Sequence, residues 1–122
     1  MATLKIVTSL AATCFYRHYS VWAGGKVYHF NETGAHCEDE ATFIKGRRLL
    51  KEMPATKTDN EVIAYYEQNK NRRYNWLTYN CEHFATECAM GKRYSPTLRG
   101  YFSIATIATF AGIITWLYRH NT

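Results

Sequence analysis

The chain has 122 residues, with fifteen Lys and Arg against ten Asp and Glu, so its formal net charge is +5. That length fits one domain, and the absence of internal repeats and low-complexity segments excludes a repeat or low-complexity protein. The positive charge favours anionic partners, either acidic lipid headgroups or nucleic acid, and composition alone does not choose between them.

The first thirty residues predict three β-strands. The apolar, β-branched segment Leu4 to Leu10 is the first, and Phe15 to Ala23 and Lys26 to Phe30 are the second and third. The dipeptide Gly24-Gly25 suits the positive φ angles of a two-residue hairpin turn. We therefore expect these segments to form an antiparallel sheet.

The hairpin brings two histidines onto neighbouring strands. If the two glycines form the turn, Ala23 opposes Lys26, and His18 lies two residues past the partner of His29. Side chains at this diagonal offset share one side of a sheet and can reach each other or a common third group. The sequence therefore predicts a pair of neighbouring histidines.

The middle of the chain predicts a loop, a strand and a helix. Asn31 to Glu40 is polar and is expected to be a loop, and Ala41 to Lys51 is expected to be a further strand. Thr58 and Glu61 have the spacing of a capping box, which opens a helix that ends near Asn69.

A second helix is predicted from Cys81 to Met90, with Asn80 as its N-cap and Gly91 closing it. Cys81 then stands at a helix N-terminus, where the pKa of a cysteine falls and the nucleophilic thiolate becomes available. His83 lies about 200° around the helix from Cys81, so we expect a supporting or packing role for it. The helix is expected to pack on the sheet that bears the histidines. When Cys81 is considered alone, the alternative interpretation is a buried structural thiol.

A thiol and a distant imidazole are typical of Cys/His acyl-transfer enzymes. Either His18 or His29 can serve as base for Cys81, with the other histidine orienting it and helix amides stabilising the oxyanion. Such a site needs no metal and no organic cofactor. Structural zinc would need ligands such as Cys14 with His18 or Cys81 with His83, but the usual short Cys spacing is missing.

The four cysteines form no C-x-x-C pair, and no secretory signal is evident in the sequence. We therefore expect reduced thiols in a cytosolic compartment. The sequon that begins at Asn31 is then expected to stay unglycosylated.

The C-terminal segment differs from the rest of the chain. Tyr101 to Tyr118 has no formally charged residue, and a helix of that length spans about 27 Å, close to a bilayer core. We therefore divide the chain into a folded domain, residues 1–98, and a membrane anchor, residues 99–122. The excess of Lys and Arg before the segment predicts that the domain lies on the cytoplasmic face. A buried terminal helix and an interfacial helix are the alternatives, and Ala108 with Gly112 can support weak pairing of the tail.

Two motifs occur in an order and spacing that are highly specific: residues 16–30, YRHYSVWAGGKVYHF, and residues 80–84, NCEHF. They resemble the H-box and the NC motif of the lecithin:retinol acyltransferase (LRAT)-like family, in particular its branch of HRAS-like suppressor phospholipase A/acyltransferases. The resemblance extends over most of the chain. It implies an α+β, permuted papain-like (NlpC-type) fold, in which an antiparallel sheet packs on helices, with a C-terminal transmembrane helix.

The same resemblance implies a membrane enzyme that acts on lipids. Cys81 would attack an acyl ester of a glycerophospholipid, His18 would act as general base, and His29 would be the third member. The acyl group would pass to water, as in a phospholipase A, or to an amine or lysolipid, as in an acyltransferase. By the same match, Tyr16 would help to stabilise the oxyanion. Asn80 and His83 are expected to support the site without contacting the reacting atoms.

The chain departs from the cellular enzymes of this family in two ways. The segment between His29 and Cys81 is shorter, and the Gly-Asp-containing opening before the first histidine is replaced by residues 2–13. This trimming resembles the H-box/NC 2A proteins of picornaviruses. That resemblance implies an alternative, a protein of the same fold without catalysis that binds membranes, host proteins or RNA.

Overall fold

The computed structural model describes residues 1–9 and 17–93, which form an α+β fold. The elements in chain order are β1 (Thr3–Thr8), β2 (Arg17–Ala23), β3 (Lys26–Asn31), β4 (Gly34–Asp39), α1 (Glu40–Ile44), β5 (Leu49–Pro54), α2 (Asp59–Asn69) and α3 (Cys81–Met90). The strands make one sheet in the order β4-β3-β2-β1-β5, and neighbouring strands are antiparallel. The predicted α+β class, an antiparallel sheet packed on helices, is thereby confirmed.

The β2–β3 hairpin has the predicted register. Ala23 pairs with Lys26, and the two turn glycines have φ angles of 59° and 80°. Ser20 is the partner of His29, so His18 lies two residues past that partner, on the same side of the sheet. The turn chemistry alone was sufficient to predict this geometry.

The predicted loop from Asn31 to Glu40 is wrong. It contains β4, which follows a tight turn in which Asn31 Oδ1 accepts a hydrogen bond from the Thr33 amide at 2.9 Å. β4 is an edge strand with no fully buried side chain, so polar residues are tolerated on both of its faces. Its sequence therefore lacks the apolar alternation that identifies a half-buried strand.

The predicted strand from Ala41 to Lys51 is wrong over most of its length. Helix α1 occupies the first part, and β5 begins only at Leu49, where it pairs with β1. Phe43 is the buried residue of α1. A helix of five residues is too short to show a 3.6-residue hydrophobic period, so the pattern could not identify it.

Both longer helices have the predicted caps. Thr58 Oγ1 accepts a hydrogen bond from the Glu61 amide at 3.2 Å, and the Glu61 carboxylate accepts one from the Thr58 amide at 3.1 Å. α3 begins at Cys81 and ends at Met90, as predicted. Gly91 closes it with a φ angle of 75°, a left-handed conformation that glycine adopts without steric cost.

The two faces of the sheet have different partners. α2 and α3 cover one face, where Phe84 of α3 stacks on Phe30 of β3 with ring centroids 5.5 Å apart. α1 covers the other face through Phe43, which clusters with Val7 and Val27. Because side chains alternate along a strand, β1, β2 and β3 contribute to both clusters. The residues that β2 and β3 turn toward α2 and α3 are Tyr19, Val21, Ala23, Tyr28 and Phe30.

α3 starts at the end of the sheet where β2 begins. Its first turns lie over Phe30, near the C-terminal end of β3. At the other end of α3, the carbonyl of Ala89 accepts hydrogen bonds of 3.0 Å from the amides of Thr56 and Lys57, just after β5. The N-terminus of α3, with Cys81, therefore lies at the same end of the sheet as the first residues of β2.

Several predicted features fall outside the described residues. They include the anchor Tyr101 to Tyr118, the tail pair Ala108 and Gly112, and the side chains of Cys14 and Tyr16. Within residues 1–9 and 17–93, none of the helices has the length and apolarity to cross a bilayer.

Candidate active site

His18 and His29 meet on the side of the sheet that α1 covers. Each residue is only 3% exposed, and His18 Nε2 lies 2.9 Å from His29 Nδ1. The rings meet edge to face with centroids 5.0 Å apart, and both contact Phe43. The predicted proximity of the two histidines is confirmed, and they form a buried, hydrogen-bonded pair.

A carboxylate that the sequence analysis missed extends this pair. His29 Nε2 is hydrogen-bonded to Glu38 Oε2 on β4, and the His36 ring stacks on the His29 ring at a centroid distance of 5.2 Å. His36 is the register partner of His29, and Glu38 lies two residues further along the same side of the strand. The spacing of His36 and Glu38 by two residues is the sequence signal for this arrangement, but the polar composition of the segment predicts a loop.

The carboxylate determines the direction of both hydrogen bonds. A carboxylate only accepts, so His29 Nε2 carries the proton that is donated to Glu38. His29 Nδ1 is then the acceptor of the 2.9 Å hydrogen bond from His18 Nε2. In a neutral His18 ring this leaves Nδ1 as the basic nitrogen. The chain His18–His29–Glu38 therefore selects one tautomer for each ring.

Burial keeps both imidazoles neutral. Loss of hydration, followed by the electrostatic effects of His29, Arg47 and His36, lowers the pKa of His18 to about 3. Burial also lowers the pKa of His29 to about 4, although the hydrogen bond and charge of Glu38 oppose the change. At neutral pH both rings are uncharged.

We expect the folded protein to lose stability as the pH falls below about 6. In the unfolded chain His18 and His29 take up protons near their ordinary pKa of 6.5, whereas the folded rings stay neutral down to about pH 4 or below. Acid therefore favours the unfolded state in this window, by about 1.4 kcal/mol per pH unit for each histidine. Urea unfolding at pH 7 and pH 5 measures the loss. A His18→Gln/His29→Gln variant that loses as much stability as the wild type would contradict this explanation.

Cys81 is the first residue of α3 and is 4% exposed. Asn80 Oδ1 accepts hydrogen bonds from the amides of Glu82 and His83 at 2.9 and 3.1 Å. His83 Nδ1 in turn accepts one from the Asn80 amide at 3.1 Å, in keeping with the supporting role predicted for His83. Asn80 engages the amides of Glu82 and His83, so these two amides serve the helix cap. The binding of an oxyanion by helix amides stays a prediction.

Replacing Asn80 with alanine is expected to lower the free energy of unfolding by about 1–2 kcal/mol. The change removes both cap hydrogen bonds and the one that Asn80 Nδ2 donates to the Trp76 carbonyl at 2.9 Å. Urea denaturation at neutral pH measures the effect. Asn60→Ala, at an exposed position in the first turn of α2, is the matched control and should change stability by less than about 0.5 kcal/mol. Equal losses in the two variants would count against a capping role.

The histidine pair and the thiol lie at the same end of the sheet but belong to opposite layers. His18 is the second residue of β2, and Cys81 begins α3 at the end where β2 starts. α3 packs on the sheet that bears the histidines, as predicted, but His18 and His29 face α1 while α3 covers the other face. A contact between Cys81 and His18 would therefore lie at the end of the sheet and not on either of its faces.

The other two thiols among the described residues, Cys37 and Cys88, lie at the surface and in the core respectively. Cys37, Cys81 and Cys88 form no disulfide. Cys88 donates a hydrogen bond to the Val62 carbonyl at 3.7 Å, and burial raises the pKa of its thiol, so Cys88 is a structural residue of the core. Among the side chains of residues 1–9 and 17–93, no three His, Cys, Asp or Glu residues are grouped as metal ligands.

Comparison with known proteins identifies no relative. No family model, no curated protein and no solved structure matches the chain. A function therefore has to be inferred from the motifs and from the geometry of the histidines and the thiol.

Proposed function

We propose that this protein is a thiol-dependent phospholipase A/acyltransferase of the LRAT-like, permuted papain-like type, anchored to the cytoplasmic face of a membrane by Tyr101 to Tyr118. The observation that carries the proposal is the hydrogen-bonded chain His18–His29–Glu38. An acyl-transfer base must be uncharged, oriented and present as one tautomer, and this chain provides these three properties. A pKa of about 3 makes the buried His18 a weak base, so the proposal requires the negative charge of the Cys81 thiolate to raise that pKa during proton transfer. Cys81, at the capped start of α3, supplies the nucleophile.

The proposed reaction has two halves. His18 Nδ1 takes the proton of the Cys81 thiol, and the sulfur attacks the ester carbonyl carbon of a glycerophospholipid. The ester C–O bond breaks, the leaving lysophospholipid oxygen takes the proton from His18, and an acyl-cysteine thioester remains. His18 then removes a proton from water, an amine or a lysolipid hydroxyl, which attacks the thioester. The departing sulfur receives that proton, so a fatty acid or a transferred acyl group leaves and the thiol is restored.

A cavity beside α3 supports a lipid substrate. It has a volume of about 260 Å³ and lies between α3 and strands β1, β2 and β5. Arg17, Lys51 and Thr86 line part of it, which suits an anionic or polar headgroup next to an apolar chain. The formal charge of +5 adds a general attraction to anionic membranes. The apolar lining consists of Leu4, Ile6, Tyr19, Met53 and Met90.

A product assay with purified full-length protein and phosphatidylcholine vesicles tests the proposal. We expect release of fatty acid and lysophospholipid, and formation of an acylated product when an amine or a lysolipid acceptor is added. The control is protein pre-treated with a thiol-alkylating reagent. If the untreated protein forms no product above the level without protein, the proposed activity is wrong.

A second candidate function is that of a non-catalytic protein of the picornavirus 2A H-box/NC type, which binds RNA or host proteins. The placement of the histidine pair and α3 on opposite faces of the sheet favours it, because a displacement of about 1 Å can lower a rate on the order of 100-fold. Basic clusters such as Lys70, Arg72 and Arg73 would then form the binding surface. RNA affinity that falls steeply with salt supports this function, and no retention on RNA at low salt excludes RNA as the partner.

A further inference from the structure

The loop before α3 presents two apolar side chains to solvent. Trp76 is 59% exposed and Leu77 is 40% exposed. The loop is closed by a pair of backbone hydrogen bonds between Asn75 and Tyr79, at 2.9 and 2.8 Å. Within it, Asn75 Oδ1 accepts hydrogen bonds from the amide of Leu77 and from that of the following residue, at 2.9 and 3.1 Å. Trp76 and Leu77 are thus held at the tip of a hydrogen-bonded loop.

The chemistry of this tip favours a lipid surface. Single exposed apolar residues are common on proteins, but here an indole and an isobutyl group are carried by consecutive residues of a loop that buries neither. Trp is enriched where headgroups meet hydrocarbon, and Leu favours the hydrocarbon itself. Nucleic-acid bases stack on planar groups, so the aliphatic Leu77 fits an acyl layer better than RNA.

Arginines surround the base of the loop. The Arg72 guanidinium lies 3.8 Å from the centroid of the Tyr79 ring, and that of Arg93 lies 5.9 Å from it. Arg73 is exposed and adjoins Arg72 in the chain. Glu87 offsets part of this charge by pairing with Arg93 at 3.8 Å. The remaining positive charge complements anionic headgroups.

We propose that the loop of residues 75–79 docks on an anionic phospholipid bilayer, with Trp76 and Leu77 inserted into the interface. Asn80 Nδ2 donates a hydrogen bond to the Trp76 carbonyl at 2.9 Å, so the loop is tied to the residue that caps α3 next to Cys81. Docking therefore brings the thiol end of α3 to the lipid surface. The catalytic meaning of this contact rests on the proposed function, but the contact can be measured without catalysis.

Tryptophan fluorescence of the full-length protein tests the contact. The chain has three tryptophans, so Trp22→Phe/Trp116→Phe leaves Trp76 as the only one. With vesicles of phosphatidylglycerol and brominated phosphatidylcholine, we expect a blue shift and quenching of Trp76, both weaker without phosphatidylglycerol. The matched control replaces all three tryptophans with phenylalanine and adds Ile63→Trp. Ile63 is 36% exposed on α2, which begins beside the C-terminal end of α3, so we expect no quenching there.

Each other outcome counts against one of the two proposals. No quenching of Trp76, or equal quenching at positions 76 and 63, overturns the docking proposal. Quenching by single-stranded RNA, with none by brominated lipid, overturns it in favour of a nucleic-acid partner. Quenching without lipid hydrolysis supports docking and contradicts the proposed function, whereas hydrolysis without quenching contradicts docking alone.

Discussion

Replacing Cys81 with alanine is expected to lower phosphatidylcholine hydrolysis on the order of 10³-fold or more. The sulfur forms the covalent intermediate of the proposed reaction, and alanine offers no replacement nucleophile. The Asn80 cap does not involve the Cys81 side chain, so the helix should remain folded in the variant. Steady-state product release from vesicles measures the rate, and circular dichroism checks the fold.

Cys37→Ser is the matched control for this variant. Cys37 is an exposed thiol on β4, so its loss tests the general effect of removing a reactive cysteine. We expect this variant to keep most of the wild-type rate. A similar loss in the two variants, or a Cys81→Ala protein as active as wild type, would show that the Cys81 sulfur is not the nucleophile.

Replacing His18 with glutamine is expected to lower the same rate by about 10²–10⁴-fold. Glutamine can still donate a hydrogen bond toward His29 Nδ1, but it cannot take a proton from a thiol at neutral pH. The thiol would then have no general base to remove its proton. The measurement is the rate of hydrolysis as a function of pH, which in the variant should rise at alkaline pH as the thiol ionises without help.

His36→Gln is the corresponding control for the base. The His36 ring stacks on His29 but lies outside the chain His18–His29–Glu38, and its own ring nitrogen bonds to Thr33 and Asn31. We expect a much smaller loss of rate than in His18→Gln. If His36→Gln were as inactive as His18→Gln, packing and not proton transfer would explain both effects.

The elements governed by local chemistry were predictable from sequence. Two adjacent glycines specify a tight hairpin, and that register alone places His18 diagonally across from His29. Thr58 with Glu61, and Asn80, satisfy backbone amides that no other residue of their helices can reach. These interactions span only a few residues, so tertiary packing does not override them.

Glu38 escaped prediction because its strand lies at the edge of the sheet. Polar side chains on both faces of β4 made it indistinguishable from a loop, although it pairs with β3 along its whole length. Helix α1 was not predicted because it has a single buried residue, Phe43. One apolar position does not define a helical period in the sequence. Glu38, the third member of the hydrogen-bonded chain, therefore lies on a strand, β4, that the sequence pattern did not indicate.

The side of the sheet that α3 covers was also not predictable. β2 is buried on both faces, so His18 and Ser20 alternate with Tyr19 and Val21 without any change in exposure. A strand buried on both sides gives no polar–apolar alternation to identify the face that meets a given helix. The relation between the thiol and the histidine pair therefore had to come from the three-dimensional packing.

Trapping the acyl group on the protein is the most direct test that Cys81 and the histidine chain act as one site. Full-length protein is mixed with vesicles of isotope-labelled phosphatidylcholine, quenched in acid, and digested for peptide mass spectrometry. We predict a labelled acyl group on the peptide that contains Cys81, removable by neutral hydroxylamine and strongly reduced in His18→Gln. A labelled acyl group found only on Cys37, or on no cysteine at all, would contradict the proposed mechanism.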